Sequence, residues 1–209
     1  MFKLSLLSRI TLSLTVLLLA GSLQAATLED VQSRWAEANY TLEGDAQIAA
    51  LESLVATLSE SLAGGEDPAL LIWDGIVKST LAGKKGGLGA LSLVKDARRS
   101  LEKALALDPM ALDGSAYTSL GALYYQVPGW PVGFGDDDKA RELLEKAVAL
   151  NPDGIDSNYF YGDFLAQEKD YKAARVALEK ALAAPDRPLR PLADKGRREE
   201  IRVLLASLP

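Results

Sequence analysis

Tyr124, Tyr125, Trp130 and Phe134 fall within eleven consecutive positions of a 209-residue chain that is only 7% aromatic. The last two lie in VPGWPVGFGDDD, Val127 to Asp138, together with two prolines and three glycines. Rings at this density serve recognition rather than bond-making, because Trp and Tyr bury large rigid surfaces and anchor partners. Tyr159 and Phe160 form a second aromatic pair further along the chain. All six are candidate binding residues, and for Trp130 and Phe134 two readings are open. They line a pocket or a binding edge, or they fold back over the ends of their own helices and staple the long loop down. A helix pair needs only a few residues in its turn, and a much longer connection is usually functional or disordered; this one is too apolar for disorder.

Bond-making chemistry has little to work with. The chain has no His and no Cys, so the commonest general base and the thiolate nucleophile are missing. AGKKGGLG, residues 82–89, has glycines and lysines but not the order that cradles a phosphate, and reads as a turn with exposed lysines. GDDDKA, residues 135–140, offers several oxygens to a hard cation. It is better read as a helix start, with Asp136 and Asp137 as cap and flank and Asp138 in the first turn. The pairs Glu102/Lys103, Glu145/Lys146 and Glu179/Lys180 recur at one repeat position, which marks a solvated helix face. The expectation is a non-enzyme with no catalytic residue, metal or cofactor.

The elements that position the aromatics follow from a repeat. LEKA occurs at 101–104, 144–147 and 178–181. Around it, Ala97/Leu101/Ala104, Ala140/Leu144/Ala147 and Ala174/Leu178/Ala181 fall at i, i+4 and i+7, one face of a helix. Upstream of each lies another helical pattern with a Gly on its buried stripe: Gly75, Gly121 and Gly162. A small residue at a crossing lets two axes approach, which offsets the roughly 1 kcal/mol that Gly costs in a helix. The unit is therefore helix A, turn, helix B. The last unit has no insertion; the one before it has seven extra residues in the A–B turn and the one before that has ten, in LAGKKGGLGALSLV. A degenerate first unit spans residues 31–58, with LEGD as its turn. After Pro185 comes a proline-marked link and an arginine-rich helix with a narrow apolar stripe, the cap that a repeat array needs at its open end. The sequence predicts nine helices, no sheet and one domain.

Residues 1–25 read as a signal peptide: Lys3 and Arg9, an apolar run from Ile10 to Ala20, then small residues with a cut after Ala25. The run is short for a membrane span, so no stable membrane anchor is expected. Loss of two positive charges takes the net charge from −6 to about −8, which disfavours nucleic acid as a partner. Without Cys there is neither a disulfide nor a lipid-anchor site. Localisation is expected to be periplasmic or secreted.

The small/large pattern resembles the tetratricopeptide repeat (TPR), whose period is 34 residues. The resemblance covers residues 28–185 and is best at Gly162, Leu165, Ala174, Leu178 and Ala181. It implies an all-α solenoid of about four helix pairs over residues 26–185, with residues 186–209 as link and capping helix. Within that class, residues 101–150 are similar to the T-component of TRAP transporters. The shared residues are Leu107/Asp108/Pro109, Asp113/Gly114, the long Pro/Gly loop, and Gly135/Asp136/Lys139/Ala140/Arg141. This implies a periplasmic helical accessory of a substrate-uptake system. The expected function is an exported, non-catalytic adaptor that binds a protein or peptide on the concave face of the array, with a second copy of itself as another partner. The alternative is a carrier of a small apolar or organic-acid ligand, in an apolar cavity lined by Tyr124, Tyr125, Trp130, Phe134, Tyr159 and Phe160.

Overall fold

The computed structural model describes residues 26–209; the expected signal peptide lies outside them. Among the described residues there are nine α-helices: α1 Leu28–Tyr40, α2 Gly44–Ala63, α3 Pro68–Lys85, α4 Gly87–Leu107, α5 Ala111–Gln126, α6 Asp137–Leu150, α7 Ile155–Gln167, α8 Tyr171–Leu182 and α9 Pro191–Ser207. None is long and apolar enough to cross a membrane. Side-chain caps set several of the starts. Thr27, Asp67, Asp136 and Asp170 each accept a hydrogen bond from a backbone N–H in the first turn of the helix that follows, which satisfies donors with no partner inside the helix.

The pairs α3/α4, α5/α6 and α7/α8 are antiparallel hairpins built on one device. A Cβ placed on Gly75 would lie 2.5 Å from Leu101 Cγ; on Gly121, 2.7 Å from Leu144 Cγ; on Gly162, 2.7 Å from Leu178 Cγ. Leu101, Leu144 and Leu178 are fully buried, as are Ala97, Ala140 and Ala174 one helical turn before them. The leucine of each B helix thus fills the space that a side chain on the A helix would occupy.

The two insertions fold differently. The ten residues expected to widen the α3–α4 turn are absorbed into helix: α3 runs to Lys85, α4 begins at Gly87, and Gly86 alone joins them at φ +62°. Ala, Leu and Lys are good helix formers, so the extra length continues both helices. The first turn also differs from expectation, since Gly44 and Asp45 of LEGD belong to α2. The seven-residue insertion before α6 remains a loop, because Pro128 and Pro131 cannot continue a helix interior.

The array closes on itself. Each odd-numbered helix packs on the next, α1 on α3, α3 on α5, α5 on α7 and α7 on α9, and α9 also packs against α1. The even-numbered helices stand outside this ring. Gly196 of α9 presses on Tyr40 of α1 so closely that a Cβ there would lie 2.3 Å from the ring. The concave face expected of a solenoid is therefore drawn into a cavity that stays partly open to solvent, and the capping helix also bridges the two ends.

Candidate functional site

The five ring helices surround a cavity of about 450 Å³. Its aromatic wall is Trp35, Trp73 and Phe160, and hydroxyls of α3 and α5, among them Ser79, Thr118 and Ser119, face them. Trp35 and Trp73 meet edge to face at 5.5 Å, and Trp35 Nε1 donates to Thr80 Oγ1 at 3.0 Å. Leu112 and Asp113 reach the cavity from the start of α5, where Leu112, Asp113 and Gly114 are all left-handed, with φ of 50°, 55° and 73°. Gly takes that conformation freely; for Leu and Asp it is strained.

The charged wall comes from the segment before α9. The backbone of DRPLRPLAD, residues 186–194, is wrapped around Asp194, whose carboxylate accepts from Arg187 N at 2.7 Å and Arg187 Nε at 2.6 Å. This turn, followed by Pro191 at the head of α9, aims Arg187 and Arg190 inward beside Arg197 of α9. Asp156 of α7 binds both Arg187 (2.7 Å) and Arg197 (2.8 Å). Burial opposes ionisation of Asp156, but Arg197 and Arg187 overcome it and hold its carboxyl well below the usual carboxylate range. Arg197 also pairs with Glu200 and lies over the rings of Tyr159 (4.3 Å) and Phe160 (4.8 Å). Burial pushes the Tyr159 and Tyr40 hydroxyls up to about 12.

Arg190 differs from its two neighbours. Its guanidinium lies over Trp73 at 5.1 Å. Its Nε is buried with no hydrogen-bond partner, and no ion pair among the described residues includes it. Burial lowers its affinity for the proton, and the neighbouring Arg187 lowers it further.

The six aromatics marked in the sequence do not line one apolar cavity. Phe160 is in its wall; Tyr159 meets Phe160 edge to face at 5.1 Å and packs under Arg197. Tyr125 packs on Phe164 at 5.6 Å and donates to Asp163 Oδ2 at 2.6 Å; burial first, then that carboxylate, push its hydroxyl well above its ordinary value. Tyr124 and Phe134 meet edge to face at 5.5 Å, with the Arg98 guanidinium 4.9 Å above Phe134. Trp130 touches none of these rings and is 90% exposed. The residues that build the cavity were missed in sequence: Trp35 and Trp73 sit in helices read as plain repeat units, and the arginines in a segment read as a cap. The recurrence of Arg in DRPLRPLADKGRR was the available signal.

The 127–136 loop is ordered by its own backbone. Val132 N and Gly133 N donate to Gly129 O, Gly135 N to Pro128 O and Asp136 N to Tyr124 O. The Trp130–Pro131 peptide bond is cis. A Cβ on Gly135 would lie 1.9 Å from Val127 O and one on Gly133 2.3 Å from Pro128 O, so only glycine fits at either position. Phe134 folds inward against Tyr124, while Trp130 and Val132 (57% exposed) stand outward. Asp136 is used as the cap of α6, accepting from Lys139 N at 2.9 Å, and Asp137 and Asp138 lie in the first turn.

Residues 133–189 match the tetratricopeptide repeat family. No curated protein matches the chain. Among solved structures, a thermophilic TPR protein of Thermus thermophilus is similar with a TM-score of 0.57 and 20% identity, over 85% of this chain and 82% of that one. Residues 133–189 are thus similar to a tetratricopeptide repeat, and the described residues have the fold of a TPR solenoid.

Proposed function

We propose that the protein is an exported, non-catalytic TPR adaptor that binds a protein partner through its outer surface at the 127–136 loop. The observation that carries this is Trp130. It is the most exposed large apolar side chain among the described residues, and it stands on a loop already fixed by backbone hydrogen bonds and by the Phe134–Tyr124 contact. A pre-ordered aromatic anchor binds with little loss of entropy. Contact between α1 and α9 narrows the concave face to a partly open cavity, which favours the outer loop over a long groove as the protein-binding surface. Capture from the periplasmic fraction with wild-type protein and with Trp130→Ala is the test. One defined protein should be retained by the wild type and lost by the variant; equal retention by both overturns the reading.

Export is supported by Lys3, Arg9 and the apolar run before Ala25. The native protein should have a mass that starts at Ala26 or Thr27, and an intact Met1 in the cytoplasmic fraction overturns it. An accessory role in substrate uptake rests on the TRAP T-component resemblance alone, at residues 107–109, 113–114 and 135–141.

A second reading, that of a small-molecule carrier, is favoured by the cavity. At about 450 Å³ it falls within the usual range for small-ligand sites, and it combines apolar walls with a few convergent polar groups. Native mass spectrometry of the purified protein should show a retained small molecule.

A further inference from the structure

We infer that the central cavity binds a small monocarboxylate, with the carboxylate on the Arg190 guanidinium and the body of the molecule against the aromatic wall; this deepens the carrier reading and rests on it. Three arginines of one short segment reach the cavity, and two are saturated. Arg187 is held by Asp156 and Asp194, Arg197 by Asp156 and Glu200. Arg190 has no carboxylate and leaves a buried N–H without a partner. An unsatisfied buried donor is costly, more so on a charged group, and one that a fold retains calls for a partner such as a water, an ion or a ligand.

Geometry supports the same assignment. The Arg190 guanidinium makes a cation–π contact with Trp73, 5.1 Å from the ring centroid, and no hydrogen bond or ion pair among the described residues uses its fork of donors, the group that takes a carboxylate through two parallel hydrogen bonds. Charge sets the class. Around the cavity the guanidiniums of Arg187, Arg190 and Arg197 are balanced by the carboxylates of Asp156, Asp194 and Glu200, so the cluster is neutral without a ligand. Lys84 and Asp113 line the cavity from exposed positions, where water screens them. A neutral cluster with one guanidinium free of ion pairs suits a singly charged anion; a doubly charged phosphate ester would bring a second charge with no counterpart. Trp35, Trp73 and Phe160 offer flat apolar surface to a body, and Thr118 and Ser119 offer hydroxyls to its polar substituents.

The test is titration calorimetry on the full mature protein after extensive dialysis. The probes are benzoate and indole-3-acetate, the amides benzamide and indole-3-acetamide, and inorganic phosphate. The acids should bind and the amides should not. Arg190→Met should weaken the acids at least tenfold while the unfolding midpoint is kept, since Arg190 makes no ion pair. Arg190→Lys, which keeps the charge but loses the fork, should also weaken them and serves if the Met variant fails to fold. Acids and amides binding alike, with Arg190→Met without effect, would overturn the carboxylate site and leave the carrier reading standing. Binding of phosphate alone overturns it in favour of a phosphate site. If no probe binds, the molecule retained in native mass spectrometry decides: a carboxylate supports the site, any other molecule overturns it, and none at all removes both the site and the carrier reading.

Discussion

Gly162 of α7 and Leu178 of α8 share one volume: a Cβ on the glycine would lie 2.7 Å from Leu178 Cγ. The same relationship recurs between Gly121 and Leu144 and between Gly75 and Leu101. Gly162→Leu should force the two axes apart and cost about 1–3 kcal/mol, the usual range for overpacking. Leu178→Ala empties a fully buried site and should cost about 2–5 kcal/mol. The double variant Gly162→Leu/Leu178→Ala should recover part of the loss, because each change makes room for the other. Thermal unfolding of the three variants checks this, and an unchanged midpoint for Gly162→Leu would refute the packing account.

Phe134 and Trp130 belong to one loop but should behave oppositely. Phe134→Ala removes a ring packed between Tyr124 and Arg98 and should lower the unfolding midpoint by several degrees. Trp130→Ala removes a side chain that is 90% exposed and should leave the midpoint nearly unchanged while partner affinity falls at least tenfold, the loss expected of an interface anchor. A large midpoint drop with affinity kept in Trp130→Ala would make both rings staples.

Asp156 gives the site an acid sensitivity of definite sign. Its pKa is depressed in the folded protein relative to the ordinary 3.8, so the stability that it contributes is present above that value and is lost as pH falls through and below it. At pH 7, Asp156→Asn removes the shared partner of Arg187 and Arg197 and should cost about 3 kcal/mol, as for a broken buried pair. The gap between wild type and variant in urea unfolding should narrow below pH 4. A gap that persists unchanged to pH 2 would contradict the role of the ion pairs.

Closure of the ring depends on the contact between α1 and α9. Gly196→Leu cannot fit against the Tyr40 ring and should part the two helices. Overpacking of this kind costs about 1–3 kcal/mol. Trp35, in edge contact with both Tyr40 and Trp73, should then become accessible to acrylamide, and fluorescence quenching should rise in the variant. Quenching at the wild-type level would show that the ring stays shut without this contact.

Much of the fold was legible because it is local. Ala140, Leu144 and Ala147 repeat at helical spacing, glycines mark the crossings, and short-range caps such as Asp136 and Asp170 start helices whatever lies around them. Propensity also explains the one misread insertion: AGKKGGLG contains turn residues, but the helix formers on both sides carried α3 and α4 to within one residue of each other. The candidate site was legible only in part. Phe134 turning inward and Trp130 outward follows from Pro131 and Gly133 between them, which are neighbours in sequence. The charged half of the site was not, since Asp156 meets Arg187 and Arg197 across 31 and 41 residues, and no spacing rule links them.

The amino-acid sequence alone determined the helical hairpins, their Gly–Leu crossings and the presence of a long aromatic loop, because each depends on contacts between residues close in the chain or on the period of a helix. Only the tertiary structure decided that the array closes. Repeat periodicity specifies how each hairpin stacks on the next, but the sum of those small rotations determines whether the last helix meets the first. Here it brings Gly196 onto Tyr40, turns the concave face into a cavity, and leaves Arg190 beside Trp73 with a buried donor unsatisfied.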